Sequence, residues 1–197
     1  MATTSASTKK KSAKSPVAKR APARKSPARK TTSAAGSRGR AKAAPEATAL
    51  LEKDHKTVHA LFQKYKKLMK AEADGSDRQA LAEQICTELT VHAAIEEEIF
   101  YPAARAAEVD DDLLDEADVE HASVKSLIAQ IRAMGPDEPL YDAKVTVLGE
   151  YVDHHVEEEE GEMFRKCRRA KMDLAALGEQ LAARKADLMA EAAEEIV

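Results

Sequence analysis

Six ionisable side chains occupy positions that the hydrophobic period of this chain otherwise reserves for apolar residues, and that conflict constrains the fold more than any other feature. In residues 46–72, Leu51, His55, Val58, Phe62, Tyr65 and Met69 recur at spacings of 4, 3, 4, 3 and 4, the stripe of an α-helix and not the alternation of a strand. A second stretch aligns Leu81, Ile85, Leu89, His92, Glu96 and Ile99 and stops at Tyr101-Pro102, where proline discourages continuation. A third aligns Leu114, Ala117, His121, Val124, Ile128 and Ile131 behind the capping cluster Asp110-Asp111-Asp112. A fourth, from about Glu138 to Cys167, aligns Leu148, Val152, His155, Glu159 and Met163. Every stripe carries a histidine, and the second and fourth also carry a glutamate.

The punctuation between the stripes sets the topology. Ala73-Asp74-Gly75-Ser76-Asp77 supplies a turn in which Gly75 ends the first helix and Asp77 caps the second, and Gly135-Pro136 breaks the third. Connections of about five residues join the first helix to the second and the third to the fourth, which favours antiparallel neighbours. A fifth helix, roughly 172–194, has Leu174, Leu177, Leu181 and Leu188 on one side and reads as packing on the outside. No strand signal competes. The expected fold is all-α: an up-down-up-down four-helix bundle over 46–170, an amphipathic C-terminal helix over 171–197 packing on it, and a disordered basic arm over 1–45.

In such a bundle the polar residues can meet. His55 lies about 16 residues before the end of its helix and His92 about 15 after the start of the next, so an antiparallel pair sets them at nearly one level. His121 and His155 are offset by about 6 Å, which a shifted boundary absorbs. The chain thus uses one unit twice: a single His, then 37 or 34 residues later His-x-x-x-Glu, with both side chains of that pair on one helix face. A lone histidine on an apolar face is ordinarily a hydrogen-bonded core residue, and a glutamate-rich run is ordinarily a solvated face. Six such residues at matched levels are different, because burying four imidazoles and two carboxylates without compensation costs several kcal/mol. A shared cation removes that cost for all of them.

Ligand type narrows the cation. Four imidazoles with two carboxylates and no nearby thiolate disfavour Ca²⁺ and Mg²⁺, and six donors exceed a tetrahedral zinc site. Two first-row ions fit better, each iron taking two imidazoles with Glu96 and Glu159 bridging; the Glu-x-x-His motif of ferritin-like di-iron bundles is absent.

The order His, His-x-x-x-Glu, His, His-x-x-x-Glu, with the flanking text Asp54-His55, Glu96-Glu97-Glu98-Ile99-Phe100-Tyr101-Pro102 and Glu120-His121, resembles the hemerythrin-like HHE cation-binding family over about residues 48–170. The resemblance implies two non-heme iron ions, oxo- or hydroxo-bridged, that react with O₂ or sense oxygen, iron or related oxidants. It assigns His55 and His92 to one iron, His121 and His155 to the other, and Glu96 and Glu159 to both. The respiratory oxygen carriers of the family place another histidine four residues after the third-helix ligand; here that residue is Lys125. His59, one turn after His55, is a candidate fifth imidazole, the alternative being a flanking histidine. Arg165 stands where the family commonly has proline, which bears on how the fourth helix ends. His154 points about 100° away from His155 and is read as non-ligating.

Charge divides the chain. Residues 1–45 hold thirteen basic side chains and no acidic one, whereas residues 46–197 carry a net charge of −17, so the overall −4 describes neither part. The arm has four of the seven prolines, only Met1 and Val17 as larger apolar residues, and no aromatic; it cannot bury enough surface to fold alone. Residues 9–42 resemble linker-histone tails in composition. Non-specific nucleic-acid binding through 9–42, a tail folding back on the acidic part, and an organelle transit peptide stay open. No run reaches the ~18 apolar residues of a membrane span, the N-terminal residues lack the apolar stretch of a secretory signal, and Cys86 and Cys167 lack disulfide spacing. A cytoplasmic protein without a membrane partner is expected, nucleoid-associated if the arm engages DNA. Three functions follow: an iron protein binding or sensing O₂, another small oxidant or iron; a stress-protective DNA-binding protein with the bundle as scaffold; or a peroxide-disproportionating enzyme. A non-enzymatic role is the leading expectation, since no nucleophile constellation or phosphate loop is present.

Overall fold

The computed structural model describes residues 44–194; the basic segment lies outside them, except for its last two residues. All regular structure among the described residues is helical. Helix α1 spans Ala47–Lys70 and α2 spans Gly75–Ile95; α2 continues through a π turn, Glu96–Phe100, into α3, Tyr101–Ala106. Helix α4 spans Asp111–Arg132; α5 spans Tyr141–Glu158 and continues through a second π turn, Glu159–Met163, into α6, Phe164–Arg169. Helix α7 spans Leu174–Glu194.

Four rods, α1, α2–α3, α4 and α5–α6, form an up-and-down bundle in which α1 packs on α2 and α5, and α4 on α2 and α5. The first turn differs from the sequence expectation. Helix α1 closes on Glu72 in the left-handed region (φ 49°), with Ala73 N–H donating to Leu68 O at 3.0 Å, the hydrogen bond of a Schellman end. Asp74, not Asp77, caps α2: its Oδ1 accepts from Ser76 N at 2.9 Å, and Gly75 is the first helical residue. Asp74 follows two residues after the Glu72 reversal, so α2 is capped three residues earlier than at Asp77. Asp110 caps α4 as expected, accepting from Asp112 N.

The second rod does not stop at Pro102. Tyr101 N–H donates to Glu96 O, five residues back, so the π turn resets the ladder and leaves Pro102 in the first turn of the resumed helix, where its missing N–H does no harm. The extra residue also rotates the inward face. Phe100 and Tyr101 are buried while Ile99 is only half-buried. The fourth rod behaves alike, Phe164 N–H donating to Glu159 O, and it runs from Tyr141 to Arg169.

Two apolar cores result. One, with Val58, Phe62, Tyr65, Ile85, Leu148 and Ile128, fills the end near the α1–α2 and α4–α5 turns; the other, with Leu51, Ile95, Phe100, Leu114, Phe164 and Leu181, fills the opposite end. Helix α7 is more than an outer cover, because Leu181 is fully buried in the second core and Leu174, Leu177 and Leu188 pack against it. Its Gly178 lies so close to the chain entering α1 that a Cβ there would fall 2.1 Å from Pro45 O. No helix among the described residues is long and apolar enough to cross a membrane.

Candidate metal centre

Between the two cores lies a polar layer. His55, His92, Glu96, His121, His155 and Glu159 are all buried, the two glutamates almost completely. His55 from α1 and His92 from α2 face each other with Nε2 atoms 3.1 Å apart; His121 from α4 and His155 from α5 do the same at 3.3 Å. Each glutamate then links the pairs. Glu96 Oε2 is 3.2 Å from His92 Nε2 and 3.5 Å from His121 Nε2. Glu159 Oε2 is 3.4 Å from His55 Nε2 and 3.6 Å from His155 Nε2.

Both glutamates are the first residues of the π turns, so the widened backbone begins where the inward carboxylates project. Interruptions of this kind cost helix stability and recur at functional sites. Here the turn keeps His92, Glu96 and Tyr101 on one side of the rod, and Tyr101 Oη donates to Glu159 Oε1 at 3.0 Å.

The outer edge of every imidazole faces a carboxylate. His55 Nδ1 donates to Glu160 at 2.9 Å, His121 Nδ1 to Glu97 at 2.8 Å and His155 Nδ1 to Glu120 at 2.8 Å; His92 Nδ1 lies 3.8 Å from Asp54 Oδ2. A proton held at Nδ1 leaves the Nε2 lone pair pointing inward, the tautomer that a metal ligand requires. Lys125 Nζ pairs with the second oxygen of Glu97, and Lys185 Nζ of α7 sits 2.8 Å from Asp54 Oδ1. The sequence alone assigns these carboxylates no supporting role, although Asp54, Glu97 and Glu120 flank the motif. Their signal was an acidic residue directly before each single histidine and a second glutamate directly after each seam glutamate, repeated in both halves.

Electrostatics set the two glutamates apart. Burial and the adjacent Glu159 push the Glu96 carboxyl well above the usual range. Burial also opposes ionisation of Glu159, but His155 and His55 hold its carboxyl down at about 2. Burial drives His92 down to about 4 despite Asp54, and burial with His155 lowers His121. His155 is also penalised by burial, yet Glu159 and Glu120 hold it above its ordinary value. Burial, then Glu96, keeps the Tyr101 hydroxyl protonated.

The residues fit a cation pair. Both oxygens of Glu96, Glu159 Oε2, Asp54 Oδ2 and His92 Nδ1 are buried with no hydrogen-bond partner among the described residues, a state that costs each group its desolvation energy. Candidate ligand atoms of His55, His92, Glu96 and Glu159 lie within 4.8 Å of one another, as do those of Glu96, His121 and His155. His59 is not brought in; it is half-exposed and pairs with Asp153 at 3.3 Å. His154 is 62 % exposed at the side chain and faces Glu120 and Glu158. Beside the four imidazoles, Val58, Leu89, Val124 and Val152 close a cavity of about 20 Å³. Both cysteines are free and buried, and neither joins a candidate ligand group.

Known proteins resemble this chain in sequence and in fold. The family model described as the hemerythrin HHE cation-binding domain matches residues 46–167. A protein named DNA nickase from Nostoc sp. is 32% identical over 122 residues, 60% of this chain and 32% of its own length, so the chain spans about a third of that curated relative. The crystal structure of a hemerythrin HHE cation-binding domain-containing protein from Mycobacterium kansasii superposes with a TM-score of 0.64 at 26% identity, covering 77% of this chain and 92% of that one. With the family model spanning well over half its length, the chain belongs to the hemerythrin HHE cation-binding domain family.

Proposed function

We propose that the polar layer holds two iron ions, one on His55 and His92, the other on His121 and His155, with Glu96 and Glu159 shared, and that the protein binds or senses O₂ or another small oxidant there. The observation that carries this reading is the convergence of four Nε2 atoms and two buried carboxylates, of which both oxygens of Glu96 and Oε2 of Glu159 lack a partner among the described residues, with each Nδ1 directed at a carboxylate. Charge supports it. Asp54, Glu96, Glu97, Glu120, Glu159 and Glu160 bring six negative charges when ionised, and Lys125 and Lys185 offset two. The carboxylates outnumber these lysines, an excess that favours bound cations. Imidazole with carboxylate suits iron among first-row metals, and bound iron supplies the electrons that O₂ or peroxide accepts.

The protein's own residues select the ligand. The cavity of about 20 Å³ has room for a diatomic or water-sized molecule, and aliphatic side chains wall it beside the imidazoles. Tyr101 keeps its hydroxyl proton and donates a hydrogen bond through Oη to Glu159 Oε1, fixing that carboxylate. Lys125, in the position of a further histidine of the oxygen carriers, is engaged with Glu97, which supports sensing or iron handling over oxygen carriage.

Metal analysis with an absorption spectrum tests the reading. Two irons per chain and a band that changes on oxidation are expected; stoichiometric zinc with no spectral response would sink it. His92→Ala and His155→Ala should each reduce the content to one iron.

A second reading adds to the first. Thirteen basic and no acidic side chains in residues 1–45, with a relative named DNA nickase, support non-specific nucleic-acid tethering by counterion release. Gel shifts over a salt series, comparing the full chain with one starting at Ala47, decide it: affinity that survives the truncation rejects the arm as tether.

A further inference from the structure

Outside the layer, a second group of metal-binding side chains lies where α4 and α5 cross. His154 Nε2 is 3.5 Å from Glu120 Oε1 and 3.5 Å from Glu158 Oε1, and candidate ligand atoms of all three lie within 4.8 Å of one another. Two ligand atoms bound at about 2.1 Å to a tetrahedral ion stand about 3.4 Å apart, which the two spacings from His154 match. Val119, Ser123 and Tyr151 border a surface groove of about 250 Å³ beside it, room for the water that completes the coordination.

Two features point inward from this group. Glu120 is bifunctional: Oε1 faces His154, while Oε2 accepts from His155 Nδ1 at 2.8 Å. A small cavity of about 10 Å³ then separates Glu120 and Glu158 on the outside from His155 and Glu159 on the inside. Glu159, fully buried and lining that cavity, has its Oε2 without a hydrogen-bond partner among the described residues.

We propose that Glu120, His154 and Glu158 form an outer site for a divalent first-row cation, from which the ion passes between carboxylates to the His121–His155 position. The passage rests on the proposed inner pair; the outer site does not. Stepwise exchange from Glu120 and Glu158 to Glu159 keeps an anionic oxygen on the ion as it sheds water, which a cation crossing an apolar wall would lack. A surface i,i+4 His–Glu contact without this role contributes only a few tenths of a kcal/mol to the helix and binds no metal.

Zn²⁺ titration of the full-length, metal-free chain against a chromophoric chelator tests the site. Three equivalents are expected, two tight and one weaker. His154→Ala and Glu158→Gln should keep the two tight equivalents and weaken the third by about tenfold or more, and anaerobic Fe²⁺ loading of the inner pair should slow in both variants while its final iron content stays the same. Glu120 is left intact because it also supports His155. A third equivalent that persists unchanged in His154→Ala, or a wild-type chain that takes only two, overturns the outer site. A chain taking a single Zn²⁺ that His154→Ala abolishes would retain the outer site and reject the inner pair.

Discussion

At the residue scale, the supporting carboxylates govern the histidines. Glu97 joins His121 Nδ1 and Lys125 in one chain of contacts. Removing such a partner from a metal-bound imidazole ordinarily costs about 10–100-fold in affinity. Glu97→Gln should therefore weaken binding at the His121–His155 position by that factor and leave the other position within about threefold, as read by two-step Zn²⁺ titration. The cysteines present the opposite case. Burial pushes the Cys86 thiol up to about 12 and the Cys167 thiol up to about 11, and the thiolate is the reactive form. A disulfide reagent at pH 8 should label neither in the native protein and both after denaturation.

At the element scale, the π turns and α7 do what regular helices could not. A straight α-helix would carry Ile99 inward after Glu96; the inserted residue brings Phe100 and Tyr101 instead. Helix α7 is seated at two points. At Gly178 it meets the backbone of Pro45 and Glu46 with no room for a methyl group, so Gly178→Ala should destabilise the protein by about 2 kcal/mol or more, overpacking against backbone being poorly relieved; urea denaturation measures it. At Lys185 it reaches Asp54 beside His92. Burial alone would raise the Asp54 carboxyl, but His92 and Lys185 hold it below its ordinary value. Stability from that depressed group is present above the ordinary carboxylate range and lost as pH falls through its lowered value. Lys185→Met should raise the Asp54 value and so shift acid unfolding of the metal-free chain to higher pH, followed by circular dichroism.

At the scale of the whole molecule, a polar layer separates two apolar cores in one bundle. Each core closes on its own side, but the layer between them holds unpartnered buried oxygens. A ligand that binds only the folded form stabilises it by mass action, about 4 kcal/mol at a thousandfold excess over Kd. Chelation should therefore lower the thermal midpoint by about ten degrees or more, given the few degrees per kcal/mol of a domain this size, with helix content below the transition unchanged. Calorimetry with and without added Fe²⁺ under anaerobic conditions checks this. A midpoint indifferent to metal would mean that the layer is satisfied without it.

Much of this was legible in the chain itself. Periods of three and four residues determined the helices, short polar turns determined the up-and-down order, and repetition of His with His-x-x-x-Glu marked the layer, because burial and periodicity are local and additive along a helix. The rest depended on three dimensions. Whether Gly75 or Asp74 governs a turn, whether Pro102 ends a helix, and whether His59 or His154 faces inward are decided by small backbone rotations. A one-residue π insertion shifts a whole helix face by roughly 100°, and stripe counting cannot register it. The carboxylates that hold the imidazoles come from neighbouring helices: Glu160 to His55 and Glu97 to His121 cross the bundle. Sequence determined which groups had to be buried together; only the tertiary structure decided how each is turned and what holds it, because side-chain direction depends on packing between helices and not on position within one.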